Sequence, residues 1–386
     1  MIKALSRGAV HIRANVLGLA IATTVAQGNA PAAADAYLDA VVEFTGQILF
    51  LQGKAPGLVI GAVRGDETAV FGFGETARGS GKAPDGETLV RIGSVTKVLT
   101  GEVMTRLLAD DRLALTDTLE SWLPEMANQG NRPIRLIDLA THSSGLPREL
   151  PREPGPAEDP LATMTLDAFA AWLADNDLDF PPATGITYSN FAFDLLSAAL
   201  SEAGDAPYPE LLSRLVTGPR GMKDTVFTPD DEQRDRLATG HNFDGSAIEP
   251  VPTGDVIVGS GGLYSTANDM IRWLDWHLDR FSADDAEERL LNHAVYLQRD
   301  GLAPVYGMDE SGVMSAVGLG WVIMEPEGNR PLILQKAGGF RGQFSYIAFA
   351  PHRDVGVFIS INQYDFAAAM NMAGALNELI SQLAPR

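Results

Sequence analysis

The chain contains no cysteine, which removes disulfides, thiol nucleophiles and cysteine-ligated zinc from consideration together. Positive charge is scarce as well: 29 Lys and Arg stand against 50 Asp and Glu, a formal net charge of −21 over 386 residues. Binding to phosphate backbones needs clustered basic side chains, and no such run occurs along the sequence, which argues against nucleic acid or an anionic membrane surface as partner. Histidine is limited to positions 11, 142, 241, 277, 293 and 352, and no pair has the HExxH spacing that sets two imidazoles on one helical face. No serine lies in a G-x-S-x-G elbow. Beyond the N-terminal segment, no apolar run approaches the roughly 20 residues that a bilayer-spanning helix requires.

What is present describes a folded globular protein, with 45% hydrophobic and 20% charged residues and no low-complexity tract. The length predicts either one large domain with two lobes or two domains. At the start, Lys3, Arg7 and Arg13 precede an apolar stretch from about Val16 to Ala26 that is followed by small residues, the pattern of an export signal. Residues 1–34 are therefore expected to be a signal peptide, cleaved after Gly28 or Ala34, and the protein to be exported and periplasmic. Removing those three positive side chains takes the net charge from −21 to −24.

Residues 35–52 carry apolar positions at helical spacing, and "GLVIGAVRGDETAVFGFGETA" is two β-rich runs around Arg64-Gly65-Asp66, a hairpin. Four further strands are expected in "GLGWVIMEPEGNRPLILQKAGG" and "QFSYIAFAPHRDVGVFISIN", and a final helix from Phe366 to Leu383. Between these ends the pattern is mostly helical, broken by proline-rich stretches such as 146–160. The simplest arrangement is an α+β fold within one domain, residues 35–386. Its sheet lobe takes about 35–94 and 255–386 with terminal helices against it, and its helical lobe takes about 95–254. A cleft between the lobes is the default binding site.

In "RIGSVTKVLTGEVM", Ser94 opens a helix whose apolar positions include Val95, Val98, Leu99, Val103 and Met104. Ser94 and Lys97 stand three apart, on one helical face, which suits a nucleophile and its base and equally suits a solvated surface pair. The amine works as a base only when neutral. Bringing its pKa from near 10.4 to about 7.5 needs about 4 kcal/mol of differential stabilisation, which burial and a neighbouring cation can provide. Tyr188 and Asn190, in the loop entering "NFAFDLLSAAL", offer a phenol to relay a proton and a carboxamide to hold a substrate carbonyl or Lys97. Lys336 is the second cation, and the small Ala337, Gly338 and Gly339 after it let a substrate backbone lie close to a strand. His142 in "THSSGLP" is expected to bond nearby backbone, and "GSGGLYST" at 259–266 to form a turn into a helix at Asn268.

The ordered set "SVTK", "YSN" and "KAG" resembles the three motifs of the serine penicillin-recognising enzymes: serine β-lactamases, low-molecular-mass penicillin-binding proteins and related esterases. The stretches "LATHSSGLPRELP", "YSNFAFDLL", "RGMKDTVFTP", "VGSGGLYSTANDMIRWL" and "GLGWVIMEP" are similar to AmpH-type D-alanyl-D-alanine carboxypeptidase/endopeptidases, over most of residues 40–380. The resemblance implies a β-lactamase/transpeptidase-like fold and a serine D,D-peptidase acting on peptidoglycan peptides, with β-lactams as covalent inhibitors and no cofactor. An esterase or amidase on small acyl substrates, a β-lactamase, and an inactive peptidoglycan- or penicillin-binding protein are its alternatives. Peripheral membrane association and oligomeric state stay open.

By the same resemblance Ser94 is the acylated nucleophile, Lys97 its base and Tyr188 the proton shuttle to the leaving group. Asn190 contacts the substrate amide, and Lys336 binds the substrate carboxylate while depressing the pKa of Lys97 or Tyr188. The backbone N–H groups of Ser94 and Gly339 form the oxyanion hole beside Gly338. Two departures bear on the carboxylate. Ala337 stands where the family usually has threonine, and Arg341 either replaces the lost anion contact or is a solvated edge-strand charge.

Overall fold

A computed structural model describes residues 36–130 and 132–386, so the expected signal peptide at 1–34 lies outside the described residues. The chain begins with helix α1 (Ala36–Gln52) and the hairpin β1 (Gly57–Arg64) and β2 (Glu67–Gly74), turning at Gly65-Asp66. Helices α2 (Thr96–Ala109), α3 (Asn190–Gly204) and α4 (Ala267–Leu278) are the long ones of the middle. The strands β3 (Leu297–Gln298), β4 (Ala316–Val317), β5 (Val322–Met324), β6 (Ile333–Phe340), β7 (Gln343–Ala350) and β8 (Val355–Ile361) follow, and α5 (Phe366–Leu383) ends the chain.

All eight strands form one antiparallel sheet in the order β2-β1-β8-β7-β6-β5-β4-β3, so the N-terminal hairpin joins the C-terminal strands through β1 and β8. The four further strands expected, β5 to β8, the first of only three residues, and α5 fall where the sequence pattern puts them. The two-residue strands β3 and β4 extend the sheet beyond it, because so short a segment has no periodicity to read. In the middle, helices at Leu136–Ala140, Leu166–Asp175 and α3 are separated by long irregular stretches, Tyr208–Leu212 follows α3 closely, and from 218 to 263 only the short helix Asp231–Arg234 interrupts a further irregular stretch. Proline and glycine in "LPRELPREPGP" and "VPTGDVIVGSGG" account for the breaks.

Side-chain alternation divides the core in two. Val59, Val63, Ile347, Phe349 and Phe358 pack with α2, α3 and α4 on one face of the sheet; Leu58, Ile60, Tyr346, Ala348, Val357 and Ile359 pack with α1 and α5 on the other. Helix α2 is apolar or buried on nearly every side from Thr96 to Thr105, so it runs through the interior beneath the sheet. Strand β6 pairs with β7 along Leu334–Phe340 but with β5 only over Ile333–Gln335. From Lys336 onward, one edge of β6 therefore has no strand partner, and that edge borders the cleft.

Candidate active site

The short strand Val90–Arg91, paired with Tyr264–Ser265, leads into a 3₁₀ turn at Gly93–Val95 and then into α2, and Ser94 sits in that turn. Gly93 has φ +51°, and a Cβ on it would come within 2.7 Å of the Gly339 nitrogen. A Cβ on Gly338 would meet the Ile92 carbonyl oxygen at 2.0 Å and the Ser94 nitrogen at 2.8 Å. The glycines thus let β6 lie backbone against backbone on the turn that presents Ser94.

Lys97, the second residue of α2, is completely buried, with Nζ 3.1 Å from Ser94 Oγ. Nζ donates to Asn190 Oδ1 and to the Ser260 carbonyl oxygen, each at 2.5 Å. Burial lowers the lysine pKa to about 7; Asp194 and Glu149 oppose that shift and Arg148 adds to it. The Asn190 amide nitrogen donates to Glu149 Oε1 at 2.5 Å, which aims its oxygen at Lys97. Asp194, four residues along α3 from Asn190, accepts from the Ser260 backbone nitrogen at 3.0 Å, and burial pushes its carboxyl up to about 8. One loop residue, Ser260, is therefore bonded both to the lysine and to the carboxyl beside it.

The Tyr188 hydroxyl hydrogen-bonds Ser94, and burial raises the phenol pKa, so it remains protonated. Its ring stacks on His142 at 4.5 Å between centroids, and His142 Nδ1 accepts from the Ser189 backbone nitrogen at 3.0 Å. His142, held well below its usual pKa by burial, is thus a neutral, backbone-bonded support for Tyr188. Lys97 Nζ, Lys336 Nζ and Arg148 Cζ surround the Tyr188 ring at 5.1, 4.8 and 4.7 Å from its centroid. Lys336 Nζ is buried with no hydrogen-bond partner among the described residues, and burial, reinforced by Lys97, holds its pKa well below that of a free lysine. Burial of Lys97 itself is the first cause of the Lys97 shift, and the cation assisting is Arg148; the Tyr188 shift is upward, not downward.

Ser94, Tyr188, Asn190, Lys336, Gly338 and Gly339 line one cleft of about 1210 Å³, which Ala337 borders as well. Arg341 does not join them. It occupies the turn between β6 and β7 with φ +47°, and its Nη2 donates to the Glu249 carbonyl oxygen at 2.6 Å, which draws the side chain into a different cavity. The anion contact expected of it at the cleft is therefore absent. Sequence reasoning missed Asp194, Ser260, Glu149 and Arg148. Asp194 had a signal: a lone carboxylate inside the apolar "NFAFDLL", on the helical face of Asn190. Among the described residues, no group of three or more His, Asp or Glu side chains could hold a metal ion.

A family model described as Beta-lactamase matches residues 13–380. The chain is 35% identical over 341 residues to the D-alanyl-D-alanine-carboxypeptidase/endopeptidase AmpH of Escherichia coli (strain K12), covering 87% of this chain and 86% of that protein. It superposes on the crystal structure of a β-lactamase/D-alanine carboxypeptidase from Yersinia pestis complexed with citrate with a TM-score of 0.81 and 36% identity, over 91% of this chain and 99% of that one. A class C β-lactamase shares the fold at 16% identity, with a TM-score of 0.74 over 89% of this chain and 96% of its own. The match takes in every element of the fold from α1 to nearly the end of α5, and the chain belongs to the beta-lactamase family.

Proposed function

We propose that the chain is a periplasmic serine hydrolase that cleaves D-Ala-D-Ala-type bonds of peptidoglycan peptides through an acyl-enzyme on Ser94. One observation carries the reading. Lys97 Nζ has two neutral acceptors, Asn190 Oδ1 and the Ser260 carbonyl, and its third neighbour is the Ser94 hydroxyl. A neutral amine has two N–H groups and one lone pair. With both N–H groups donated to the acceptors, the lone pair points at Ser94, where it takes the hydroxyl proton as Oγ attacks the substrate carbonyl.

The carbonyl oxygen becomes an oxyanion against the backbone N–H groups of Ser94 and Gly339, which the glycine contacts hold side by side; each such donor contributes about 3 to 4 kcal/mol in comparable acyl transfers. Collapse of the tetrahedral intermediate breaks the bond to the leaving amine, and the Tyr188 phenol, kept protonated by burial and bonded to Ser94, passes it a proton. The Lys97 ammonium returns the proton taken from Ser94 to the Tyr188 phenolate. Water then attacks the ester on Ser94 with the neutral Lys97 as base, and the proton it takes passes to Oγ as the acid leaves, restoring the hydroxyl. Similarity to the E. coli carboxypeptidase/endopeptidase supports the substrate class, and the basic-then-apolar segment at 1–34 supports export.

Covalent labelling by a fluorescent penicillin, together with mass spectrometry of a muropeptide digest, tests this. The wild type is expected to take one label and release D-Ala, and Ser94→Ala to do neither; a label that survives Ser94→Ala refutes the assignment. A second reading, hydrolysis of small acyl esters, is favoured by Ala337, which removes a hydroxyl from the edge of the cleft. Faster turnover of a p-nitrophenyl ester than of any muropeptide would select it.

A further inference from the structure

Arg78, Arg91, Arg234 and Arg341 line one cavity of about 620 Å³ with His241, and Glu249 is the sole carboxylate among the lining residues. The sequence has no basic run, and its net charge is −21; folding makes this concentration of positive charge. Arg234 is paired with Asp231, and His241 is engaged through Nδ1 with the Asn362 carbonyl at 2.8 Å and through Nε2 with the Arg78 backbone N–H at 3.4 Å. The unmatched charge therefore belongs to Arg78, Arg91 and Arg341.

Arg91 is only 4% exposed. Its guanidinium lies between the rings of Tyr264 and Phe340, 4.2 and 4.8 Å from their centroids, and Nη2 donates to the Val251 carbonyl at 3.0 Å. Nη1 has no hydrogen-bond partner, and no carboxylate pairs with Arg91 among the described residues. Arg341 faces the same cavity with Nε buried and unpartnered, and Arg78 has a neutral partner, Gln363 Oε1, at 3.1 Å. Burying the Arg91 guanidinium without a counter-charge, with the half-buried Arg341 and the exposed Arg78 lining the same cavity, is costly, and an arriving anion reduces that cost. The planar fork of arginine suits a carboxylate or a phosphate.

We propose that this cavity is an anion site that takes a carboxylate or phosphate group. Its position connects it to the chemistry. Arg91 is three residues from Ser94, at most about 11 Å along an extended chain, and Phe340 walls the cleft while stacking on Arg91. A substrate lying along the free edge of β6 past Phe340 would bring an acidic substituent to the arginines, an extension that rests on the hydrolase reading; a free anion is the other source.

Thermal denaturation of the full chain at constant ionic strength, titrated with inorganic phosphate and separately with succinate, reads the site without turnover. A saturable rise in Tm is expected in the wild type and in Ser94→Ala, and its loss in Arg341→Gln and Arg78→Gln, whose side chains lie outside the core. No saturable rise with either anion, or a rise undiminished in both arginine variants, overturns the site. Two peptide substrates that differ only in an acyl-side carboxylate or its amide then separate the sources. With the substrate as source, Arg341→Gln lowers kcat/KM about tenfold for the acid alone. Equal effects on acid and amide, with the thermal response lost, assign the cavity to a free anion. Because the thermal titration needs no catalysis, failure to cleave any peptide would sink the hydrolase reading and leave the anion site standing.

Discussion

Lys97 and Glu102 lie five residues apart on α2, and neither has any exposed surface, yet they have been given opposite surroundings. Glu102 faces the closed interior, in an ion pair with Arg220, and accepts from Trp273 Nε1 at 2.6 Å. Arg220 also lies 3.8 Å from Glu288, whose second oxygen meets Arg106 Nε at 2.6 Å, and its guanidinium rests 3.9 Å from the centre of the Trp276 ring. Lys97 lies behind Ser94, Asn190 and Ser260, which line the cleft, and is bonded to a hydroxyl, an amide and a backbone carbonyl, all neutral. Burial disfavours the charge on both, but Glu102 is in direct ion-pair contact with Arg220 and further favoured by Arg106. Lys97 touches no carboxylate among the described residues and, with Asp194 and Glu149 only partly offsetting its burial, titrates at about 7. One buried ionisable group is matched and holds the fold; the other is unmatched and can move a proton.

The comparison breaks most visibly if the two residues' neighbourhoods are exchanged in consequence. Lys97→Met, which fills similar volume without the amine, is expected to cut acylation by about 10⁴-fold, the upper range for a general base, with Tm equal to or above the wild type. Arg220→Met should do the reverse. It strands Glu102 and Glu288 without their shared cation, and removing one partner from a buried pair costs about 3 to 5 kcal/mol. Urea unfolding should show that loss, while penicillin labelling per folded molecule is unchanged. A labelling defect in folded Arg220→Met, or a large stability loss in Lys97→Met, would erase the distinction.

Tyr188→Phe sharpens the catalytic side. The phenol is bonded to Ser94 and kept protonated, so its proton matters most where the leaving group is a poor one. Release of D-Ala, an amine, is expected to slow by about 10²-fold, the lower range for proton transfer by a side chain. Release of p-nitrophenol, which leaves as a stable anion, should slow far less. Equal losses would make Tyr188 a positioning residue, akin to the His142 beneath it.

The sequence made much of this legible, for reasons that also explain what it hid. Strands of seven or eight residues and helices of seventeen or eighteen repeat their period often enough to be read, and β1, β2, β6, β7, β8, α1 and α5 fall where the pattern puts them. Ser94 and Lys97 were readable because their spacing is local to one helix. What holds the Lys97 amine was not local: its partners Ser260 and Asn190 are 163 and 93 residues away, and a backbone carbonyl leaves no mark on residue identity. The chemical type of Lys336 suggested a cation, but burial, a property of the fold, moved it toward the neutral form. Arg341 follows the motif in sequence by a few residues, yet the hairpin turn carries it out of the cleft, because strand direction reverses there.

The smallest expected effect concerns pH. Lys97 is neutral above about 7, so acylation in the wild type should rise with pH through that value and level off above it. Asp194 is the leading influence that raises the Lys97 pKa, but burial lifts its own carboxyl to about 8, so it is only partly charged while Lys97 titrates. Asp194→Asn, which keeps an oxygen to accept from the Ser260 nitrogen, should therefore lower the lysine pKa only modestly. The acid limb of the acylation profile then moves to lower pH, and at pH 6 the variant works closer to its own plateau than the wild type does to its own. Measuring penicillin acylation rates between pH 5 and 9 for both proteins decides the matter. A limb that stays fixed would mean that Asp194 carries no charge when Lys97 titrates, and a limb that moves upward would mean that the group giving up its proton is not the lysine.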